Sequence, residues 1–260
     1  MLRLDNKVAL VTGGASGIGR GIARAYAKEG ACVAICDLTE GTYPLSTSVE
    51  IQQSGGNSMF YTTDVSEERS FAESFEAVVA RYGRIDILVN NAGVVSPLGR
   101  MHTLPIDALD RCLQVNVRGM WIGTTLMVRH LLSRDAEGSI INMVSTAGIV
   151  PIRDEAAYAV SKAAAAQLTR IAASEYTAKR IRVNGICPTF VRSPLTAALE
   201  TNQQFTDWIP TFIPAGRMAE ISEIGDLAVF LASDEARFIS GALIPIDGAE
   251  TVARPDFPDL

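Results

Sequence analysis

Metal-binding side chains, basic residues and long apolar runs are all scarce in this sequence. Only two of its 260 residues are histidine and four are cysteine, in spacings that match no zinc or redox template, so we expect no metal site. Acidic residues outnumber basic ones by 29 to 23, which argues against a nucleic-acid partner. The longest stretch without a charged residue, 138–152, is shorter than the roughly 20 residues that span a bilayer, so no membrane association is predicted.

The N-terminus and the cysteines indicate a cytoplasmic protein of one domain. Residues 1–5 contain no apolar signal region. Cys32, Cys36 and Cys187 lie in apolar runs and are interpreted as small core residues, which fits a reducing compartment. An apolar fraction of 48% with a net charge of -6 excludes disorder and supports one sizeable core, so residues 1–260 are predicted to form a single domain.

Short apolar runs alternate with helical patterns along the chain, and several runs are almost entirely apolar, as in strands covered on both faces. This alternation predicts an α/β fold, a doubly wound domain of right-handed parallel βαβ units. The predicted strands are 7–12, 31–37, 58–63, 85–90, 139–144, 181–186 and 242–246, and the predicted helices are 17–29, 43–54, 67–82, 107–132 (one helix or two), 155–178 and 222–232. Residues 188–216 and the tail 248–260 have no clear periodicity, and we interpret 189–216 as a functional loop, a substrate lid.

A glycine-rich string lies between the first strand and the first helix. Residues 12–19 read Thr-Gly-Gly-Ala-Ser-Gly-Ile-Gly. Glycines allow backbone N–H groups to approach a pyrophosphate, and the helix N-terminus favours its charge. No Gly-Lys-Ser/Thr follows, which excludes a P-loop. The string therefore predicts a dinucleotide site, with a purely structural glycine-rich turn as the alternative.

Asp37 ends the second predicted strand and favours NAD over NADP. An acidic residue there accepts hydrogen bonds from the adenosine ribose and repels a 2′-phosphate. Ser16 and Leu38, where a cation would meet that phosphate, are uncharged. A turn residue at the strand end is the alternative for Asp37. Asp64 and Val65 close the third strand, and on their own they indicate no more than a helix N-cap.

A tyrosine and a lysine stand four residues apart near the start of an alanine-rich helix. Tyr158 and Lys162 therefore share one helical face, and a nearby ammonium group lowers the pKa of a phenol from about 10 toward that of a general acid/base. Such a pair arises by chance in roughly one chain in ten. Ser145 follows a strand, where open parallel sheets bind ligands, although it is equally an ordinary loop serine. Asn116 lies within the long helix, where a surface role is the alternative.

Taken together and in this order, these motifs resemble the classical short-chain dehydrogenase/reductase family of NAD-preferring type. The likeness runs from about residue 6 to residue 247. It is carried by residues 12–19, Asp64, residues 90–93, Asn116, Ser145, Tyr158, Lys162 and Pro188. The resemblance implies a Rossmann-like domain with a seven-stranded parallel sheet flanked by helices, an NAD cofactor and, by family habit, a homotetramer.

The resemblance also implies roles for the site residues. Tyr158 exchanges a proton with the substrate oxygen and Ser145 holds that oxygen. Lys162 binds the nicotinamide ribose and lowers the pKa of Tyr158, while the helix that contains Asn116 positions a water in a proton relay. The cofactor contacts expected from the strand ends and from the resemblance are Gly13, Ser16, Gly17, Ile18, Gly19, Asp37, Leu38, Asp64, Val65, Asn91, Ala92, Gly93, Tyr158, Lys162, Pro188, Val191 and Ser193.

The sequence departs from the family pattern after the sixth strand. Thr189 replaces the glycine that usually follows Pro188, and Ser193 replaces a threonine. The cofactor site should survive these changes, with a nicotinamide-side loop of different shape. The tail also extends past the usual end of the family, and we consider that it reaches a neighbouring subunit's site.

Substrate specificity is expected from residues 94–103, 146–153 and 189–216. Apolar side chains in the last segment favour a small secondary alcohol or ketone with an apolar ring or chain, with packing of the lid onto the body as the alternative. These side chains are Phe190, Leu195, Phe205, Trp208, Ile209, Phe212 and Ile213. Arg153 and Asp154 are candidates for contact with a polar substituent.

Two other functions fit part of the pattern. One is a non-catalytic NAD(H)-binding sensor or scaffold of the same fold, which has no need for Ser145, Tyr158 and Lys162. The other is a reductase of C=C bonds, although relatives of that kind usually space tyrosine and lysine further apart.

Overall fold

Seven strands form one sheet in the computed structural model, which describes residues 2–41 and 43–253. They are β1 (Val8–Thr12), β2 (Cys32–Asp37), β3 (Ser58–Thr62), β4 (Ile87–Asn90), β5 (Gly138–Met143), β6 (Ile181–Pro188) and β7 (Leu243–Ile246). All neighbouring pairs are parallel, in the order β3-β2-β1-β4-β5-β6-β7. This confirms the predicted α/β class, the Rossmann-like topology and each of the seven strands to within a few residues.

Helices cover both faces of the sheet. They are α1 (Gly17–Lys28), α2 (Thr47–Gln53), α3 (Glu68–Tyr82), α4 (Ile106–Cys112), α5 (Met120–Ser133), α6 (Ala156–Tyr176), α7 (Ala197–Glu200), α8 (Gln203–Phe212) and α9 (Ile221–Ala232). Predicted residues 43–46 are not helical, because Ser46 is the N-cap of α2 and accepts a hydrogen bond from the Val49 N–H. The segment predicted as one helix or two is continuous, and α4 and α5 are joined by a π-helical stretch, Leu113–Gly119.

Alternate residues of the central strands face two separate hydrophobic cores. One core packs β1, β2 and β4 against α1 and α9, through Ala9, Val11, Val33, Ile35, Ile87 and Val89. The other packs the same strands against α3 and α5, through Val8, Leu10, Ala34, Cys36 and Leu88. The strand order reverses between β1 and β4, so a crevice opens at the carboxyl ends of these two strands, where open α/β sheets bind ligands.

The prediction of an unstructured 188–216 loop was wrong, because the segment contains α7 and α8. Asn202 caps α8 by accepting hydrogen bonds from Gln204 N at 3.0 Å and Phe205 N at 3.3 Å. Pro210 lies inside this helix, in its last turn, and proline within a sequence is ordinarily interpreted as a helix breaker.

Several other features bear on the compositional expectations. No helix within the described residues is long and apolar enough to cross a bilayer, and the same residues hold no cluster of three or more metal-binding side chains. All four cysteines are free thiols; Cys36, Cys112 and Cys187 are buried. The predicted tail extends to residue 260, and its last part, 254–260, lies outside the described residues.

Candidate active site

The glycine-rich string forms a cradle between β1 and α1. Gly13 and Gly17 adopt left-handed backbone angles, with φ of +63° and +51°. A Cβ atom on Gly19 would lie 2.1 Å from the Gly13 carbonyl oxygen, so only glycine fits there. Ser16 is the N-cap of α1 but its side chain caps nothing, and the first turn carries no acidic residue. The free N–H groups and the helix dipole at this end are therefore suited to a phosphate anion.

Asp37 lies beside this cradle at the end of β2. Its carboxylate accepts hydrogen bonds from the N–H groups of Ala15 at 3.0 Å and of Leu38 at 2.8 Å. Both contacts hold the side chain at the rim of the cradle, next to the exposed Leu38. The structure thus places Asp37 and Leu38 where the sequence argument puts the adenosine ribose.

Asp64 and Val65 follow β3 on the same edge of the sheet. Asp64 Oδ1 accepts hydrogen bonds from the N–H and the hydroxyl of Ser66 at 2.9 and 2.6 Å. Val65 is buried, and it lies so close to the π-helical stretch that a Cβ atom on Gly119 would meet its side chain at 2.9 Å. The sequence predicted both residues as cofactor contacts, and the structure places them at the carboxyl edge of the sheet.

A hydrogen-bond network joins the ends of β1 and β4. The buried Thr12 hydroxyl donates to Val89 O at 3.2 Å and accepts from the N–H groups of Asn91 at 2.9 Å and Ala92 at 3.0 Å. The Asn91 amide returns two hydrogen bonds, to Thr12 O at 2.9 Å and Gly13 O at 3.1 Å. Thr12 therefore fixes the cradle against the Asn91 loop. The sequence does not predict this role, because Thr12 is distinguished there only as the first residue of the glycine-rich string.

Ser145, Tyr158 and Lys162 converge on the carboxyl end of β5. Ser145 lies close enough to Tyr158 for its hydroxyl to lower the pKa of the phenol, against the larger effect of burial. Lys162 Nζ lies 5.6 Å from the centre of the Tyr158 ring and donates a hydrogen bond to Met143 O at 2.8 Å. Three of the four side chains predicted as catalytic are thus neighbours, positioned by one strand end and one helix; the fourth is Asn116.

The side chain of Asn116, which lies in the π-helical stretch, makes three hydrogen bonds. Its amide donates to Val94 O and to the Ser161 hydroxyl, both at 2.9 Å, and its Oδ1 accepts from Val94 N at 2.8 Å. A Cβ atom on Gly93 would lie 3.1 Å from Asn116 Oδ1 and 3.6 Å from Lys162 Nζ. Asn116 and Lys162 therefore flank Gly93. Single π turns of this kind recur at functional sites.

Burial has the largest effect on the pKa values of Tyr158 and Lys162. Burial raises the pKa of Tyr158 to about 12, against the lowering effect of the Ser145 hydroxyl. Burial also lowers the pKa of Lys162 to about 8. Burial disfavours the charged form of both groups, and the lowering of the Tyr158 pKa by Lys162 stays a prediction.

The loop after β6 closes the crevice from the other side. Pro188 ends β6 in register with Ile246, and Val191 is buried in a bridge to Ala219. Ser193 reaches the phosphate cradle, since its Cβ lies 3.9 Å from the position of a Cβ on Gly17. Pro188, Val191 and Ser193, which are predicted cofactor contacts, thus surround the same crevice.

Two of the three segments expected to set specificity are linked through Asp154. The Gly99 N–H donates to Asp154 O at 2.8 Å, and Arg100 forms an ion pair with the Asp154 carboxylate at 3.1 Å. Asp154 therefore joins the 94–103 and 146–153 segments, and Arg153 is exposed.

The aromatic residues of the lid pack on each other around Phe190. Its ring makes edge contacts with Phe205, Trp208 and Phe212 at centroid distances of 5.2, 6.0 and 5.9 Å. Together with Ile209 and Ile213 they form a small separate core, while Leu195 stays exposed. These contacts favour the alternative in which most of the lid's apolar side chains hold the lid itself together.

Comparison with known proteins agrees with this geometry. The family model described as Enoyl-(Acyl carrier protein) reductase matches residues 13–249. The cis-4-hydroxycyclohexanecarboxylate dehydrogenase of Sinomonas cyclohexanicum is 36% identical over 94% of this chain and 96% of its own. The 2-(R)-hydroxypropyl-CoM dehydrogenase of Xanthobacter autotrophicus is 33% identical over 95% of this chain and 99% of its own.

A solved structure with the same fold holds a nicotinamide ligand. A dehydrogenase from Beutenbergia cavernae, described as NAD(P) dependent and solved with NADP bound at low occupancy, is 33% identical. It superimposes with a TM-score of 0.90 over 97% of this chain and 99% of its own. The chain thus shares its fold with a protein that was solved with a nicotinamide dinucleotide bound.

Proposed function

The chain belongs to the short-chain dehydrogenase/reductase family of oxidoreductases, and we propose that it interconverts a secondary alcohol and a ketone with NAD. The convergence of Ser145, Tyr158 and Lys162 on the end of β5 carries this proposal. Bound NAD supplies the hydride acceptor, and NADH the hydride donor. The cradle at Gly13 and Gly17 fits the pyrophosphate of such a cofactor.

The chain's own residues move the proton. Tyr158 donates its phenolic proton to the ketone oxygen during reduction and accepts the alcohol proton during oxidation. Ser145 holds that oxygen beside the phenol. Lys162, anchored by Met143 O, binds the nicotinamide ribose, and the Asn116 helix orders water on the far side of Lys162 as a path for protons. Substitution of Tyr158 by Phe removes only the hydroxyl and is expected to abolish turnover while NAD still binds.

This test also separates the enzyme from a binding protein. Purified protein is mixed with NAD and a panel of cyclic, aliphatic and sugar alcohols, and NADH is followed at 340 nm. Turnover that disappears in Tyr158→Phe supports the dehydrogenase. Tight NAD binding, with no oxidation of any alcohol and no reduction of any ketone in the reverse assay, favours the sensor or scaffold.

The name of the matched family model suggests a reductase of C=C bonds as a third candidate. Two observations favour alcohol chemistry instead. Tyr158 lies one helical turn from Lys162, and the Ser145 hydroxyl is close enough to lower its pKa. The two relatives cited above are named as dehydrogenases of hydroxylated compounds. Oxidation of NADH with an enoyl thioester but with no ketone would overturn the assignment.

Asp37 supports NAD as the cofactor, although two related structures hold NADP. Its carboxylate is fixed at the cradle rim by two N–H groups, where a 2′-phosphate would meet a negative charge. In Asp37→Ala, loss of hydrogen bonds to a charged group lowers kcat/KM for NAD by roughly 10- to 100-fold, and NADP gains relative to NAD. Leu38→Arg keeps Asp37 and adds a cation where the 2′-phosphate would lie, so it should raise kcat/KM for NADP while NAD turnover is retained. A wild-type protein that prefers NADP contradicts the assignment.

We propose a compact apolar substrate, such as an alicyclic alcohol. The support is the ring-bearing substrate named for the Sinomonas relative, together with Leu195 and Trp208, the lid side chains that remain exposed. Cyclohexanol and its alkyl derivatives should give higher kcat/KM than sugars or highly charged alcohols in the same assay. Preference for gluconate or another sugar acid would refute this part.

A homotetramer and a cytoplasmic location are the remaining parts of the proposal. Trp121 on α5 and Val160 and Ile171 on α6 leave apolar surface exposed, and symmetric assembly covers such faces. The four free thiols fit a reducing compartment. Light scattering at several concentrations tests the assembly, and Trp121→Glu is expected to shift it toward smaller species.

A further inference from the structure

A carboxylate from the C-terminal tail reaches the substrate side of the catalytic residues. Asp247 organises a tight turn after β7 by accepting hydrogen bonds from Ala249 N at 3.1 Å and from the N–H and hydroxyl of Thr251 at 2.9 and 2.7 Å. Ala249 adopts a φ of +74°, a left-handed backbone conformation that favours glycine. This turn directs the Glu250 side chain inward, against its own chain's site.

Glu250 is surrounded by residues that adjoin the catalytic and cofactor positions. Burial raises the pKa of Glu250, and the nearby hydroxyls of Thr189, next to Pro188, and of Thr146, next to Ser145, lower it in part. Glu155, three residues before Tyr158, is close enough for the Glu250 carboxylate to raise its pKa further, beyond the larger effect of burial. Glu250 thus lies where the loops after β5 and β6 meet the start of α6.

Three polar atoms at this point lack partners. Both carboxylate oxygens of Glu250 and the Thr189 hydroxyl are buried without a hydrogen bond of acceptable geometry among the described residues. Within that part of the chain, neither Glu155 nor Glu250 joins an ion pair. Glu155 is the N-cap of α6, yet its side chain accepts no capping hydrogen bond. Buried polar groups are nearly always paired, so this arrangement is suited to a ligand that brings hydrogen-bond donors.

We propose that Glu250 is a specificity-determining residue that accepts a hydrogen bond from a second, donor-bearing substituent of the substrate, a hydroxyl or an ammonium group. This inference rests on the proposed alcohol dehydrogenase function and narrows its substrate. The apolar lid contacts the ring or chain, while Glu250 selects a donor at a position away from the reacting carbinol. A substrate with a carboxylate at that position is disfavoured, because it would face Glu250 and Glu155 together.

The test compares Glu250→Gln with the wild-type enzyme on matched alcohols. The substrates are cyclohexanol, the cyclohexanediols, 4-aminocyclohexanol and 4-hydroxycyclohexanecarboxylate, each with saturating cofactor. Hydrogen bonds to charged groups are worth enough that kcat/KM for the preferred diol or amino alcohol should fall roughly 10- to 100-fold in the variant. Cyclohexanol should change less than about threefold, and the carboxylate substrate should improve. A diol effect without an amino alcohol effect identifies a hydroxyl as the donor, and the reverse identifies an ammonium group.

Two control proteins test whether the effect belongs to Glu250. Glu76→Gln, on an exposed position of α3, removes one charge far from the site and should leave all ratios unchanged. A chain that ends at Ala253 keeps Glu250 and should keep the substrate preference; if truncation alone reproduces the Glu250→Gln pattern, the preference belongs to residues 254–260 and the proposal is wrong.

The outcomes distinguish this inference from the function on which it rests. A wild-type enzyme that oxidises cyclohexanol but discriminates diols no better than Glu250→Gln overturns the role of Glu250 alone. A protein that oxidises no alcohol overturns the proposed function and the inference with it. A Glu250→Gln variant that melts several degrees lower and loses activity equally on every alcohol assigns Glu250 to the fold, whereas the proposed role predicts an unchanged or higher Tm.

Discussion

Replacing Thr12 by valine is the most direct probe of how the fold supports the cofactor cradle. Valine keeps the shape of threonine and removes only the hydroxyl, which is buried and receives the N–H groups of Asn91 and Ala92. Both N–H groups would then lack an acceptor, and the valine side chain, which has the same shape, would keep water from reaching them. Each orphaned group costs about 1–2 kcal/mol when partly buried, so the substitution costs about 3 kcal/mol in total.

The effect on stability is measurable by thermal and denaturant unfolding. A loss of about 3 kcal/mol lowers the Tm of a chain of this size by roughly 6–12 °C. Thr12→Ser is the matched control, because it keeps the hydroxyl and removes one buried methyl group, which costs about 1 kcal/mol. The reasoning is refuted if valine and serine destabilise the protein equally.

The same substitution should weaken NAD binding. The Thr12 hydroxyl fixes the loop whose Asn91 amide holds the Gly13 carbonyl, so its loss frees one wall of the cradle. We expect the Kd for NAD to rise about tenfold in Thr12→Val and to stay within about twofold in Thr12→Ser, by calorimetric titration at a temperature where both variants are folded. A Thr12→Val protein that is less stable but binds NAD normally would show that the network serves the fold alone.

Three further predictions concern packing and protonation. In Gly21→Ala the new Cβ would lie 2.0 Å from Ile221 Cγ2, so the change should cost about 1–3 kcal/mol by denaturant unfolding and be partly rescued by Ile221→Ala. His130 accepts a hydrogen bond from the Ile85 N–H at 3.1 Å, and burial lowers its pKa. The free energy of unfolding should therefore fall as the pH drops below about 6.5, the pKa of histidine in the unfolded chain. A His130→Gln variant should flatten that dependence between pH 7.5 and 5.5. Because the Tyr158 pKa is about 12, ketone reduction, which needs the phenol, should persist from pH 6 to 9, whereas alcohol oxidation, which needs the phenolate, should rise over that range; a falling oxidation rate would contradict the assignment.

The sheet and the grouping of the site residues follow from features that the sequence displays locally. Apolar runs buried on both faces identify the strands. Parallel pairing then brings Asp37, Asn91 and Ser145 to one edge, because every carboxyl end points the same way. The Tyr158 and Lys162 pair needs only the helical repeat. For these residues, position along an element is enough to predict position in space.

Other features depend on contacts between distant segments. Pro210 makes α8 hard to predict from the sequence. The aromatic side chains of α8 contact Phe190, which lies on a different segment. The pKa of Tyr158 depends on how deeply the phenol is buried, which spacing along a helix does not specify. Glu250 looks like any acidic tail residue until the turn at Asp247 places it beside Thr146 and Thr189.

In such a fold, the reaction and the choice of substrate depend on different parts of the chain. The proton-transfer residues and the cradle come from strand ends and from the first turns of helices, which the buried sheet holds rigidly. The side chains that we expect to face the rest of the substrate come from the lid and from the tail after β7, which pack in small clusters of their own. Changes there leave the cores of the sheet untouched. Two relatives that align along nearly the whole chain are named for a cyclohexanecarboxylate and for a coenzyme M conjugate. Under the role proposed for Glu250, one acidic side chain in the tail is enough to turn such a site away from anionic substrates and toward donor-bearing ones.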